Sequence, residues 1–340
     1  MSEASKTILD IRNLDISFKT NAGTVHAIRG VNIDLCKGET VAIVGESGSG
    51  KSVTMKAAMG LLDSNATVNS GEILYTYTNE KGKEQTVDLL KLPKKVLRQQ
   101  INGQRIAMVF QDPMTSLDPT MTIGKQIMEG MFLHKNMSKE AAKARAIELL
   151  NLVGIPDAEK RFKNYPHQLS GGMRQRVVIA IALSADPEIL ICDEPTTALD
   201  VTVQSQILSL INRLKAQTGT SVMLITHDMG VINEMADTVI VMYAGQIVEQ
   251  AETAELFAHP AHPYTIGLIQ SIPPLDREVD ELNVIPGSVP MLYELPEGCL
   301  FAPRCPYATE KCRRERPDIG QASPGHDVRC FRYMPGWEGE

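Results

Sequence analysis

The stretch Gly45-Glu-Ser-Gly-Ser-Gly-Lys-Ser52 sets three glycines ahead of a lysine and a serine. Glycines at 45, 48 and 50 let successive backbone N–H groups turn toward one centre, where they and a helix N-terminus hold phosphate oxygens. The G-x-x-x-x-G-K-[ST] spacing gives the binding set Gly45, Glu46, Ser47, Gly48, Ser49, Gly50, Lys51, Ser52 and Val53. Lys51 is expected to reach the β- and γ-phosphates of a nucleotide, and the Ser52 hydroxyl to ligate Mg²⁺. ILICDE (189–194) is an apolar run ending in two acids. Burying that run as a strand puts both acids at its carboxyl end, where open α/β sheets bind ligands. Asp193 is expected to hold Mg²⁺ through water, and Glu194 to polarise the attacking water as general base. A solvated strand end is the plainer reading of two acids alone, and the phosphate loop weighs against it. Leu169-Ser-Gly-Gly-Met-Arg-Gln-Arg176 supplies a second candidate anion site, with Ser170, Gly171 and Gly172 opening a helix. An ordinary N-cap is its bland alternative, but one nucleotide does not need two such helix starts from one subunit.

These groups need elements to position them. VAIVG (41–45) reads as a strand running into the glycine turn, with a helix over 51–62 behind it. Residues 7–18, 25–35 and 105–110 read as strands, and 71–78 with 84–90 as a hairpin. Strand signals vanish over 122–185, where Ala, Leu, Met, Lys and Glu mark a helical insertion. Strands over 188–194 and 221–228, with an amphipathic helix over 202–217 between them, restore the α/β alternation of a mostly parallel sheet. Beyond about residue 252 the pattern weakens and Pro and Gly multiply.

The bulk composition excludes other classes. A net charge of −7 argues against a chain that coats nucleic acid, so no nucleic-acid partner is expected. No run of 18 apolar residues is present, and MSEASKTILD has neither a basic n-region nor an apolar h-region. A cytoplasmic location is expected, where thiols stay reduced.

In this order and spacing the motifs resemble those of ATP-binding subunits of ABC transporters. The resemblance implies an α/β P-loop NTPase: an ABC-type nucleotide-binding domain over 1–252, with an antiparallel β subdomain and a helical subdomain at about 112–185. A Cys-rich irregular C-terminal extension follows over 253–340. ATP and Mg²⁺ are the implied cofactors. In that family the LSGGQ-like signature closes over nucleotide held by another subunit's phosphate loop. Here Ser170, Gly171 and Gly172 carry it, and Met173 replaces the commonest glutamine. Gln111, in VFQDP, resembles the Q-loop glutamine that senses Mg²⁺ and faces the membrane subunits. Asp200, in Ala198-Leu-Asp200, resembles the D-loop acid of the dimer interface. His227, in LITHD, resembles the switch histidine that contacts the γ-phosphate. Phe18 resembles the aromatic that stacks on adenine, a task Val25 or a nearby side chain could share. Each has a plainer reading alone: Asp200 as a helix cap, His227 as a turn histidine, Gln111 as a loop amide, Phe18 as a core aromatic. Their joint order is what favours a site.

The element His262-Pro-Tyr264 and its surroundings (258–272) resemble the extension of the oligopeptide/dipeptide permease branch, as do VFQDPMTSLDP (109–119) and DEPTTALDVTVQSQIL (193–208). That branch implies import of di- and oligopeptides. The implied partners are two membrane permease subunits, a second ATP-binding subunit (a paralogue, or this chain itself) and an extracytoplasmic peptide-binding protein. The chain would sit peripherally on the cytoplasmic face of the inner membrane. Importers of nickel and some sugars share the branch. A non-transport ABC ATPase is a second class, disfavoured by the single cassette and the permease-type tail. An iron–sulfur redox protein that merely binds nucleotide is a third, disfavoured by the full hydrolytic motif set.

Four of six cysteines crowd the tail as C-x₅-C-x₆-C-x₁₇-C: Cys299, Cys305, Cys312 and Cys330. In a reducing compartment such clustering suggests metal rather than disulfides. The pattern lacks the C-x₂-C pairs usual for structural zinc, and thiolates on irregular loops suit a [4Fe–4S] cluster. Zinc and free thiols remain alternatives. The permease branch has members with such a cluster. Neighbouring basic residues are expected to lower the thiol pKa values. Cys36 and Cys192 lie in apolar strand patterns and read as core.

Overall fold

The computed structural model describes residues 6–21, 23–79, 81–197, 199–272 and 284–337. Apolar runs broken by Gly, Asn and Asp become strands, often over longer spans than their pattern marks. They are β1 (Thr7–Thr20), β2 (Gly23–Cys36), β3 (Thr40–Val44), β4 (Ala66–Thr78), β5 (Glu84–Asp88) and β6 (Ile106–Val109). The remainder are β7 (Ile189–Asp193), β8 (Ser221–Thr226), β9 (Thr238–Tyr243), β10 (Gln246–Glu252), β11 (Gly320–Ser323) and β12 (His326–Val328). The helices begin with α1 (Lys51–Ala58), α2 (Lys94–Val96), α3 (Pro113–Ser116), α4 (Ile123–Lys135), α5 (Lys139–Leu152) and α6 (Ala158–Arg161). They continue with α7 (Gly171–Ala182), α8 (Val201–Thr218), α9 (Met229–Met235), α10 (Thr253–Ala258), α11 (Pro263–Gln270) and α12 (Glu310–Arg314).

The chain divides into two compact units. The first is built on Lys91–Ile225. Its strands run β8-β7-β6, all parallel, with Ile106 beside Ile189 and Asp193 beside Ile225. Every residue of β6 and β7 is buried, as parallel strands covered on both faces require. The expected helical insertion is present: α4 packs on α5 and α7, and α5 on α7.

The second unit is built on Thr7–Leu35, Thr40–Leu90 and the chain from Thr226 onward. It holds a four-stranded sheet of order β2-β1-β4-β5 and a mixed sheet of order β11-β12-β10-β9-β3. β3 and β9 are parallel, and β9 turns into antiparallel β10 through Ala244 (φ +46) and Gly245 (φ +83). Two successive positive-φ residues make the tight hairpin whose twist suits the strands.

Two expectations are corrected here. The helix read over 51–62 ends at Ala58, because Gly60 (φ +63) donates to Ala57 O and Leu61 to Lys56 O, a left-handed stop that glycine permits. The tail, expected to be irregular, is partly regular. β12 pairs antiparallel with β10 (Glu249 beside Val328), and β11 pairs with β12. Strands of three and four residues are ordered by this partner rather than by any period of their own. Tail residues Leu300 and Phe301 join the core that holds Ala42 and Val44 of β3 with Tyr243 and Tyr264.

Candidate functional site

In the second unit the fully buried β3 delivers the chain to Gly45, whose φ is +154. A Cβ there would stand 2.1 Å from the Met242 carbonyl oxygen. At Gly50 (φ +101) a Cβ would stand 2.5 Å from Ile28 Cδ1. Both positions demand glycine for room as well as for backbone angle. Gly50 caps α1 without a side-chain bond, and the first turn of a helix is an arrangement that suits an anion. Lys51 is buried, and its Nζ donates to the carbonyls of Gly45 (2.6 Å) and Glu46 (3.0 Å). The ammonium is thus held inside the loop that would cradle phosphates.

Two partners of this loop have no sequence signal that the motif supplies. The Glu46 amide donates to Tyr264 Oη at 2.8 Å, and Arg304 grips the Glu46 carboxylate through Nη1 (2.6 Å) and Nη2 (3.1 Å). Tyr264 lies within the expected tail element, so only its role was hidden. Phe18 is half-buried on β1 beside Ala66 of β4, and Val25 is half-buried on β2. His227 is exposed between β8 and α9. Its neighbour Asp228 caps α9 by accepting from Gly230 N and Val231 N.

In the first unit β7 carries buried Asp193 to its carboxyl end, and Glu194 follows with φ +46. The Glu194 Oε2 accepts from Gln111 Nε2 at 2.8 Å and from Thr197 Oγ1 at 2.9 Å, while its N–H donates to Ile225 O. Two residues picked separately in the sequence are thus bonded side chain to side chain, and Thr197 is an orienting partner that was missed. Ser170 caps α7 by accepting from Met173 N (3.4 Å), and Asp200 caps α8 by accepting from Val203 N (3.0 Å). A Cβ on Gly172 would stand 2.7 Å from Val203 Cγ1, so glycine lets the start of α7 lie against α8. Ala198 lies outside the described residues.

Cys299, Cys305, Cys312 and Cys330 line one cavity in the second unit, together with His262, Phe301 and Trp337. Backbone N–H groups aim at the sulfurs: Phe301 and Ala302 at Cys299, Tyr307 at Cys305, Arg332 at Cys330. Thr309 Oγ1 lies 3.4 Å from Cys312 Sγ. The expectation that basic neighbours lower the thiol pKa values is overturned. Burial pushes Cys299 and Cys305 up and Cys330 up to about 11, outweighing those amides and Arg332. Among the described residues no three or more His, Cys, Asp or Glu side chains are gathered so as to hold a metal ion, so the expected cluster on these cysteines finds no support in that geometry. Cys192 is core, its thiol pushed up to about 12 by burial and Asp193. Cys36 is half-buried at the end of β2.

Against known proteins, residues 28–197 match the ABC transporter family model, and residues 248–312 match the model for the oligopeptide/dipeptide transporter C-terminal region. The chain is 51% identical over 331 residues to the oligopeptide transport ATP-binding protein AppD of Bacillus subtilis, covering 96% of this chain and 97% of the relative. It is 53% identical over 333 residues to the dipeptide transport ATP-binding protein DppD of Lactococcus lactis, covering 98% and 93%. Among solved structures it is similar to the dimeric, post-hydrolysis ATP-binding cassette MJ0796 bound to ADP and Pi. There the TM-score is 0.62 at 27% identity, over 72% of this chain and 99% of that one.

Proposed function

The chain belongs to the family of ABC transporter ATP-binding proteins, and from that premise we propose that it hydrolyses ATP to energise import of dipeptides and oligopeptides. The observation that carries the reading is the bonded pair Gln111–Glu194 at the end of β7, in a chain that also bears a complete phosphate loop. Glu194, oriented by Gln111 and Thr197, draws the proton from the attacking water. Lys51 leaves the carbonyls of Gly45 and Glu46 for the β- and γ-phosphates, and the loop amides with the start of α1 hold their oxygens. Ser52 and Asp193 are the Mg²⁺ residues, with Gln111 beside them in role; the ion, when bound, neutralises charge on the phosphates. His227 reads the γ-phosphate, and Phe18 packs on the base. Ser170, Gly171 and Gly172 close over the nucleotide of a second ATP-binding subunit, with Asp200 at the joint. ATP thereby biases an equilibrium between closed and open pairs of subunits.

Among the described residues no helix is long and apolar enough to cross a membrane. The motion therefore passes to two separate permease subunits, with the helical region 112–185 as the contact surface, and the chain sits peripherally at the inner face of the membrane. A peptide-binding protein delivers cargo from the other side. The functional division falls near residue 252, with an ATPase part before it and the permease-type tail after it. The complex solubilised from membranes is expected to retain two membrane proteins, and added peptide with its binding protein to raise ATP hydrolysis. ATPase activity indifferent to peptide in the intact complex would reject the cargo assignment.

The same reading extends to a [4Fe–4S] cluster on Cys299, Cys305, Cys312 and Cys330. The four thiols line one cavity, and backbone amides aim at three of the sulfurs, as suits cluster thiolates. The cysteine spacing and the shared cavity carry this reading; among the described residues no group of three or more His, Cys, Asp or Glu is gathered to hold a metal ion. Ligation to iron would have to drive the thiol protons off against the upward push of burial. Protein purified without oxygen is expected to be brown, with a broad band at roughly 400 nm. A colourless, iron-free preparation would return the choice to zinc or free thiols.

A further inference from the structure

Arg304 sits in the short turn Ala302–Arg304 of the tail, directly before Cys305, yet its side chain ends at the phosphate loop. The residue is buried, and its guanidinium is saturated. Nε donates to Pro286 O (2.9 Å), Nη1 to Glu46 Oε2 (2.6 Å) and Tyr243 Oη (3.4 Å), and Nη2 to Glu46 Oε1 (3.1 Å) and Ile285 O (3.5 Å). Five donors meet five acceptors, which fixes the fork in one orientation. Below it the Tyr243 and Phe301 rings lie 5.8 Å and 5.9 Å from the guanidinium carbon. Glu46, by contrast, keeps 31% of its side chain exposed and is the second residue of the loop meant for a polyanion. A carboxylate in that place repels phosphate unless a cation faces it.

We infer that Arg304 is a positioning residue for ATP binding: it neutralises the Glu46 carboxylate and holds it away from the phosphates, so that nucleotide affinity depends on the tail. The inference rests on the ATPase reading above. Tyr264, holding the Glu46 amide, fixes the same loop residue from α11. The tail therefore grips both the backbone and the side chain of Glu46, and neither grip lies within the loop motif.

The test uses the full chain, with ATP affinity from equilibrium titration and kcat from phosphate release. Arg304→Met is expected to weaken ATP binding about tenfold with kcat changed less than about twofold, because the group acts on binding and not on the reacting atoms. Arg304→Lys keeps a charge but cannot bridge both oxygens, and an intermediate loss of about threefold is expected. The double variant Arg304→Met with Glu46→Gln is expected to regain affinity to within about twofold of wild type, since no unpaired carboxylate remains. A purely structural role would leave the double variant as weak as Arg304→Met, and that result overturns the inference, as does unchanged affinity in Arg304→Met. Should Arg304→Met fail to fold, Arg304→Lys decides, and wild-type affinity there overturns the inference. A wild-type chain that binds no ATP overturns the ATPase reading as well.

Discussion

Glu194→Gln lowers ATP turnover by at least about a hundredfold while ATP binding persists. The size follows from what the carboxylate does. A positioned general base supplies roughly 10²–10⁴ of rate, and an amide of the same shape cannot take the proton. The orientation survives the change, because an amide oxygen can still accept from Gln111 Nε2 or Thr197 Oγ1 as Oε2 does now. Affinity should therefore move little, and kcat and kcat/KM should fall together, the mark of a group used only in the transition state. With MgATP the variant should also gather as a lasting dimer, visible in light scattering, since hydrolysis no longer releases the pair. Single-turnover phosphate release within tenfold of wild type would remove Glu194 from the role of base. Thr197→Ala offers a graded companion: it removes one side-chain donor to Oε2 and should slow turnover less, leaving Gln111 to orient the carboxylate.

The phosphate loop was legible because its demands are local. Gly45 and Gly50 take positive φ (+154 and +101), a backbone demand that the glycines themselves announce, and strand and helix appear on either side, although the atoms that exclude a Cβ there, Met242 O and Ile28 Cδ1, come from distant strands. The Gln111–Glu194 bond was legible only as two separate roles, since 83 residues separate the partners and no local pattern encodes the contact. Arg304 and Glu46 lie 258 residues apart, and nothing in the loop motif asks for a cation from the tail. The cysteines show the limit in another way. Their spacing pointed to one metal site; all four line one cavity, but among the described residues no three or more His, Cys, Asp or Glu are gathered to hold a metal ion. Local charge, however, gave the wrong direction for the titration of Cys299, Cys305 and Cys330, because burial is a property of packing and not of neighbouring letters. The same holds for β11 and β12, which exist because β10 offers an edge. The helix over 51–62 was overdrawn for the opposite reason: the stop at Gly60 is local, but the apolar pattern ran through it.

Acid is expected to unfold this chain early, and His262→Asn to remove part of that sensitivity. His262 caps α11, its Nδ1 accepting from the Tyr264 amide at 3.1 Å, which requires the neutral ring with its proton on Nε2. Burial pushes its pKa down to about 3. The groups around it do not rescue the cation. Phe301 lies 5.6 Å from the ring and the thiols of Cys299 and Cys305 line the same cavity. The Glu249 carboxylate is engaged by the His262 and Ala261 amides and by His326. With a folded value near 3 and an unfolded one of about 6.5, only the unfolded chain binds this proton between those limits. The contribution is therefore full above about pH 6.5 and is lost as pH falls toward 3, at up to about 1.4 kcal/mol per pH unit and roughly 5 kcal/mol in all. Asn can accept from the same amide as a cap but carries no titrating proton. Urea midpoints of the full chain at pH 7, 6 and 5 should consequently fall less steeply for His262→Asn than for wild type, by about one proton in slope. Parallel slopes for the two proteins would show that His262 is not the group whose protonation unseats α11, and with it the hold of Tyr264 on Glu46.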